Sequence, residues 1–400
     1  NFEDKKMENL PIVHVVNGRQ KKLLQGHPWV YGNEIERVEG EIEDGGLVTV
    51  VDFRGRYMGT GFYNSKSLIT VRLLTHRQEE ITDELIASRV KAACDYRRFV
   101  MNRPGTDSCR LIYGEADRLP GVIADRFGGG IVLQGLALGM ERFTQTIADA
   151  LLACEKPDCL LLQNDDAIRR KEGMECFTRM LYGTLPEENI IHENGVKLAV
   201  DVLGGQKTGY FLDQKDNHLF VRQFCKDARV LDCFSYIGAF ALNAAAAGAK
   251  EVTAVDISEA AVQLIEKNAA LNGADITAVC ANCFDFLRAQ VKAGEKYDVV
   301  VLDPPAFTKA HANMASACRG YKEIALSAMR LLPAGGVLAT HSCSYHMPEE
   351  VFVNTVLSAA QDLHRQVRVI TLRRQDIDHP VLAGYPESHY LKSLWLQMLD

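Results

Sequence analysis

Through the second half of the chain, short apolar runs alternate with stretches of helical periodicity. The sharpest instance is 229–256, RVLDCFSYIGAFALNAAAAGAKEVTAVD. Val230 and Leu231 lead into Asp232, a turn holds Gly238, an Ala-rich helical stretch follows, and beyond Gly248 a second apolar run closes on Asp256. That is a strand–loop–helix–strand unit, the building block of a doubly wound α/β sheet. The alternation continues. Ser258 caps a predicted helix through Asn272, with Glu259 at its positive end. A strand over 276–280 leads to Asn282, a helix spans 283–291, and a strand over 297–302 ends in Asp303-Pro304-Pro305-Ala306-Phe307. A helix running to Leu332, a strand over 336–340 ending in HSCS, another helix and strand, and an antiparallel closing strand over 390–399 complete a seven-stranded sheet.

The first half reads differently. Residues 11–75 alternate apolar and polar positions with frequent glycines, which predicts short strands, close turns and a small β-barrel. Its one helix-like piece carries Arg19, Lys21 and Lys22 and leads to Trp29; the cations suit phosphate contacts and the indole suits base stacking. Helical periodicity over 82–102 puts Leu85, Ile86, Val90, Ala93 and Cys94 on one face. Antiparallel strands over 109–136, a helix over 139–152 and a strand over 159–162 make an irregular α+β module. Arg169, Arg170 and Lys171 read as a solvated surface run. A hairpin over 190–202 turns at 193–195. The expected domains are a barrel at 1–76, a central α+β module at 77–187 and an α/β domain at 188–400.

Composition narrows the class. A chain of 400 residues, 47% hydrophobic and 24% charged, is that of a globular protein with two or three cores. No apolar run reaches the roughly 18 residues that span a bilayer, so no membrane partner is expected. The polar start NFEDKKMENL is unlike a secretory signal, and eleven scattered cysteines suit free thiols in a reducing cytoplasm. Cys280 and Cys283 form a lone C-x-x-C with no second ligand pair. With a net charge of −7, any nucleic-acid grip must come from local patches.

Candidate chemistry gathers at the strand ends, where an open parallel sheet holds its ligand. Asp232, Asp256, Asn282 and Asp303 end four strands, and Cys343 follows a fifth. The loop after Asp232 lacks G-x-G-x-x-G, so it suits a nucleoside without phosphates, which points to S-adenosylmethionine. Asp256 is placed to accept from ribose hydroxyls. Asn282 is expected to accept from the adenine amino group and donate to a ring nitrogen, and Asp232 to face the cofactor's ammonium group. Upstream, 204–214 reads GGQKTGYFLDQ and is too polar for core. Its backbone could wrap the ligand, with Lys207 or Gln214 reaching a carboxylate. Gln206, Phe211, Phe234 and Gly238 are assigned to the same site. His341, Cys343 and His346 lack a fourth ligand at recognisable spacing, so no metal is expected.

The motifs GGQKTGYFLDQ, LDCFSYIGAF, LDPPAF, GYKE, HSCS and PESHYL resemble those of bacterial 23S ribosomal RNA large-subunit methyltransferase I, a cytosine-5 methylase family. The likeness covers nearly the whole chain, since 1–76 resembles a PUA domain. It implies an S-adenosylmethionine-dependent enzyme acting on 23S rRNA or the large ribosomal subunit, and leaves a homodimer open. Asn282 stands where methyltransferases often carry Asp. Cytosine C5 is a poor nucleophile; a thiolate added at C6 makes it enamine-like. The resemblance and the strand-end position imply Cys343 as that nucleophile, with Asp303 on the N3/N4 edge of the base and Pro304, Pro305 and Phe307 on the substrate side. Pro305 fills the place where some cytosine-5 RNA methylases carry a second cysteine. Two other readings stand beside it: an amino-group or guanine-N7 methylase on the same fold, and a non-catalytic RNA-binding assembly factor.

Overall fold

Seven strands of the second half form one sheet: β1 (Arg229–Cys233), β2 (Glu251–Asp256), β3 (Thr277–Cys280), β4 (Val299–Leu302), β5 (Val337–Ser342), β6 (Val367–Arg373) and β7 (Lys392–Met398). Their order is β3-β2-β1-β4-β5-β7-β6, parallel from β3 to β5. β7 inserts antiparallel beside β5 and carries β6 on its outer edge. The computed structural model describes residues 10–205, 207–308 and 313–400.

The central strands read as unbroken apolar runs because both faces are covered. Val299 and Val301 join Val230, Ala254, Phe240 and Trp395 in one core layer. Val300 and Leu302 join Leu231, Val255, Tyr321 and Leu338 in the other. The two-residue alternation of a strand thus splits a single VVVL run between two cores. Helices α1 (Ala239–Ala246), α2 (Glu259–Asn272), α3 (Cys283–Ala293), α4 (Met314–Leu331) and α5 (Glu349–Asp362) cover the sheet. The Ser258 hydroxyl does cap α2, accepting from Ala261 N at 3.3 Å.

Register brings the carboxyl ends of the strands onto one edge. Cys233 lies beside Val255 and Leu302, Asp256 beside Cys280, and Leu302 beside Thr340. β5 runs two residues past its predicted end, because Ser342 pairs with Lys392 of the antiparallel β7. That extension delivers Cys343 to the edge.

Residues 12–75 form a six-stranded mixed sheet, and 109–183 a five-stranded sheet with helices Asp83–Val100 and Thr144–Glu155. Between this sheet and β1, strands Asn189–Glu193 and Val196–Val200 make a hairpin. Its turn residues Asn194 (φ 53°) and Gly195 (φ 80°) are both left-handed, as a two-residue hairpin loop requires. Buried charges join the layers. Lys215 Nζ lies 2.5 Å from Asp378, Arg103 pairs with Asp376 at 2.9 Å, and Arg97 holds both Asp117 and the carbonyl of Asp378. Among the described residues no helix is long and apolar enough to cross a membrane.

Candidate active site

A cavity of about 450 Å³ lies over the carboxyl ends of β1, β2, β4 and β5. Ten of the residues singled out in the sequence line it: Phe211, Gln214, Phe234, Asp256, Asn282, Asp303, Pro304, Pro305, Phe307 and Cys343.

The loop after β1 shapes one wall. Phe234 (φ 62°), Tyr236 (φ 52°) and Gly238 (φ 88°) all take left-handed backbone, unfavourable for the first two. Three anchors hold it. Tyr236 N donates to Asp256 Oδ2 at 2.9 Å, Ser235 Oγ to Asp232 Oδ2 at 2.5 Å, and the Tyr236 hydroxyl to Gly209 O at 3.0 Å. The last bond ties this loop to the glycine-rich segment. Asp256 Oδ1 accepts from Ser258 N at 2.9 Å. Both carboxylate oxygens are therefore aimed by backbone amides, and each keeps a lone pair for a diol.

Three assignments need correction. The Asn282 amide oxygen caps α3, accepting from Phe284 N at 3.0 Å and Asp285 N at 3.3 Å. It cannot also accept from an adenine amino group; only its NH₂ is left to donate. Asp232 is fully buried beneath the loop, outside the cavity wall, and also accepts from Ala241 N at 3.1 Å. Burial pushes its carboxyl up to about 7, and its second oxygen has no partner. It organises the loop and does not line the cavity. At Gly238 an added side-chain carbon would make ordinary contact with Ile265 of α2 at 3.4 Å; it is the φ of 88° that calls for glycine, so this residue serves the turn.

Of the glycine-rich segment, Phe211 and Gln214 reach the cavity. Lys207 lies 3.4 Å from Asp213 and 4.5 Å from the Phe211 ring centre, and its charge acts on Cys343. Gln206 lies outside the described residues.

The reacting side holds Asp303 and Cys343. Gln214 Nε2 donates to Asp303 Oδ2 at 3.1 Å. Burial first, then the Asp213 carboxylate, pushes the Asp303 carboxyl up to about 7. Burial pushes the Cys343 thiol up to about 11; Lys207 opposes this, while Asp303 and Asp213 add to it. At neutral pH the thiol is protonated, and the carboxyl is poised between its two forms. Phe307 is held by Tyr321, with ring centres 4.7 Å apart, and by Phe284 at 5.7 Å.

The predicted RNA contacts lie elsewhere. Arg19 and Lys21 are exposed. Lys22 is paired with Glu34 at 2.6 Å and lies over the Tyr31 ring. Trp29 is a correction. Its Nε1 donates to Glu115 at 2.8 Å and its ring lies 4.7 Å from Tyr385, so it ties three parts of the chain together.

Sequence reasoning missed Tyr236, Ile257, Cys283, Phe284, Ala306 and Leu391, all of which line the cavity. Ile257 carried a signal: an isoleucine directly after the strand-end acid, 67% exposed, is an apolar wall left open. Leu391 carried none, since only the insertion of β7 brings it there. Among the described residues no group of three or more His, Cys, Asp or Glu is arranged to hold a metal ion.

A parallel sheet with this strand order, an amide-aimed acid ending β2 and a nucleoside-sized cavity define an S-adenosylmethionine-dependent methyltransferase. Residues 132–375 match the model of that family, and residues 13–76 match a PUA-like domain. "Ribosomal RNA large subunit methyltransferase I" of Klebsiella pneumoniae (strain 342) is 42% identical over 388 residues, 96% of this chain and 97% of its own. The protein of that name from Salmonella arizonae is 41% identical over 390 residues, 96% of each chain. A Streptococcus mutans structure assigned as a SAM-dependent methyltransferase superposes with a TM-score of 0.83 over 96% of this chain and 99% of its own. At 20% identity that likeness speaks for the fold, as does another structure of equal score, solved with SAH. The chain belongs to the ribosomal RNA large subunit methyltransferase I family, and its cofactor is S-adenosylmethionine.

Proposed function

We propose that the protein methylates C5 of a cytosine in 23S rRNA of the large ribosomal subunit, with Cys343 as the covalent nucleophile. The relatives' name supports the RNA class. The observation that carries the chemistry is that Cys343 and Asp303 line the same cavity as the ribose-type acid Asp256.

The cavity residues fit the cofactor. Asp256 takes the ribose hydroxyls, the Asn282 NH₂ and the walls of Ile257 and Phe284 take the adenine, and Phe211, Phe234 and Gln214 take the remainder. Bound there, S-adenosylmethionine supplies an electrophilic methyl on a sulfonium. Cys343 gives up its proton to solvent water and its sulfur bonds to C6 of the cytosine. Asp303 in its protonated form delivers a proton to N3, so that the C5–C6 electrons are retained as an enamine and C5 becomes nucleophilic. After methylation C5 gives its proton to a solvent water, the S–C6 bond breaks with its electron pair returning to sulfur, and the N3 proton returns to Asp303. Lys207 favours the thiolate electrostatically. The cytosine must leave its stack to enter. Parts 1–76 and 77–187 of the chain would grip the RNA through phosphate contacts, with Arg19 and Lys21 as exposed cations.

One observation favours a second reading. A thiol pushed up to about 11 is a poor nucleophile as it stands, whereas an amino-group or guanine-N7 methylase needs none. Nucleoside analysis of a 23S transcript after incubation with labelled S-adenosylmethionine separates the two. Label in 5-methylcytidine is expected; label in a methylated amino group or in 7-methylguanosine would replace the first reading with the second.

A further inference from the structure

A second cavity, of about 190 Å³, backs onto the first. The two have no lining residue in common, but two stretches of chain pass from one to the other. Cys343 and Leu391 line the active-site cavity, while their near neighbours Tyr345 and Lys392 line the second. The Lys392 ammonium donates to Ser344 O at 2.6 Å and Tyr390 O at 2.7 Å. The far side is Glu387, which accepts from His27 of the N-terminal sheet at 3.2 Å. The second cavity therefore sits between the chain that follows Cys343 and the PUA-like part.

Its chemistry selects a base over a phosphate. Glu349 and Glu387 make the wall acidic, and Lys392 is already held by two carbonyls. Glu349 Oε2 and His389 Nε2 face each other across 3.9 Å, and neither makes a hydrogen bond. Burial, helped by the charges of Arg374 and Lys392 and opposed by Glu349, favours the neutral form of the imidazole. Unpaired acceptors at such a wall call for donors. The volume is below the roughly 300–1,000 Å³ of sites for whole ligands, and suits one planar ring system. Tyr345, 50% exposed at the rim, offers a ring face for stacking.

We infer that this cavity receives the base of a nucleotide adjacent to the methylated one, and that it selects an amino-bearing base through Glu349 and His389. The inference rests on the RNA methylation proposed above and adds to it a sequence-reading pocket.

The test uses the full chain and a 23S transcript whose methylated position has been mapped by mass spectrometry. Each of the two flanking nucleotides is replaced by uridine, which carries no amino group. One replacement is expected to raise the KM for RNA about tenfold in the wild type. Glu349→Ala and His389→Ala should each raise KM on the unchanged transcript by a similar factor with S-adenosylmethionine affinity unchanged. Combining variant and replacement should add less than twofold further, because both remove the same contact. Tyr345→Ala, at an exposed position, gives an independent reading should either variant misfold. KM values within twofold throughout, additive effects, or uridine at both natural flanks would overturn the inference and leave the methylation standing. A wild-type protein that leaves the transcript unmethylated would overturn the parent proposal instead.

Discussion

Gln214 Nε2 donates to Asp303 Oδ2 across 3.1 Å, joining the glycine-rich segment to the end of β4. The bond favours the charged form of a carboxyl that burial has pushed up to about 7. In the proposed chemistry Asp303 works as the acid and Cys343 as the thiolate, so above about 7 the loss of the acid form offsets the gain in thiolate, and turnover should stop rising there. Gln214→Leu removes a donor to the carboxylate, and that break should move to higher pH. Initial rates between pH 5.5 and 9 check this; an unmoved break would mean that another group titrates.

Asp303→Asn keeps the shape but cannot deliver a proton. The expected loss in kcat is about 10²–10³-fold, with KM for RNA changed by less than about threefold. Single-turnover methyl transfer measures it, and near-normal kcat would remove Asp303 from the chemistry.

Asp256→Ala deletes the amide-aimed acceptor at the end of β2. S-adenosylmethionine binding should weaken by about 1–3 kcal/mol, measured by calorimetry. Unchanged affinity would place the ribose elsewhere.

The cap formed by Asn282 makes a paired prediction. Asn282→Ala should cost about 1 kcal/mol of stability, whereas Asn282→Asp keeps the capping oxygen and should melt like the wild type. Equal losses in both variants would mean that the side-chain NH₂ carries the effect.

Asp232 gives a stability signature. Its folded carboxyl, at about 7, lies above the usual carboxylate value of 3.8. Between those values the folded chain binds more protons than the unfolded one, so this group's contribution to stability falls as pH rises. Asp232→Asn should flatten the decline of Tm between pH 5 and 8. A slope identical to the wild type would show that other groups set it.

Much of this site could be read from the chain because its residues follow local rules. Apolar runs split between two core layers mark β1 to β5, and residues at or just beyond the ends of β2 to β5 line the cavity. What the pattern could not carry depends on distant partners. Cys343 reaches the edge because Lys392, 49 positions on, extends β5 by pairing with Ser342. Trp29 reads as an RNA platform until Glu115 and Tyr385 arrive from two other parts of the chain. Asp232 and Asn282 read as strand-end polar residues, but local hydrogen bonds engage one oxygen of Asp232 and the amide oxygen of Asn282. A strand end presents a residue to the edge; it does not say whether the fold or the ligand uses it.

The covalent step is the central claim, and trapping tests it most directly. A 23S transcript made with 5-fluorocytidine offers no C5 proton to lose, so the S–C6 bond should persist after methylation. Incubated with S-adenosylmethionine and run on a denaturing gel, the wild type should give a protein–RNA adduct, and Cys343→Ala should give none. An adduct that survives Cys343→Ala would move the nucleophile to another residue. Full methyl transfer to the ordinary transcript by Cys343→Ala would contradict covalent catalysis altogether.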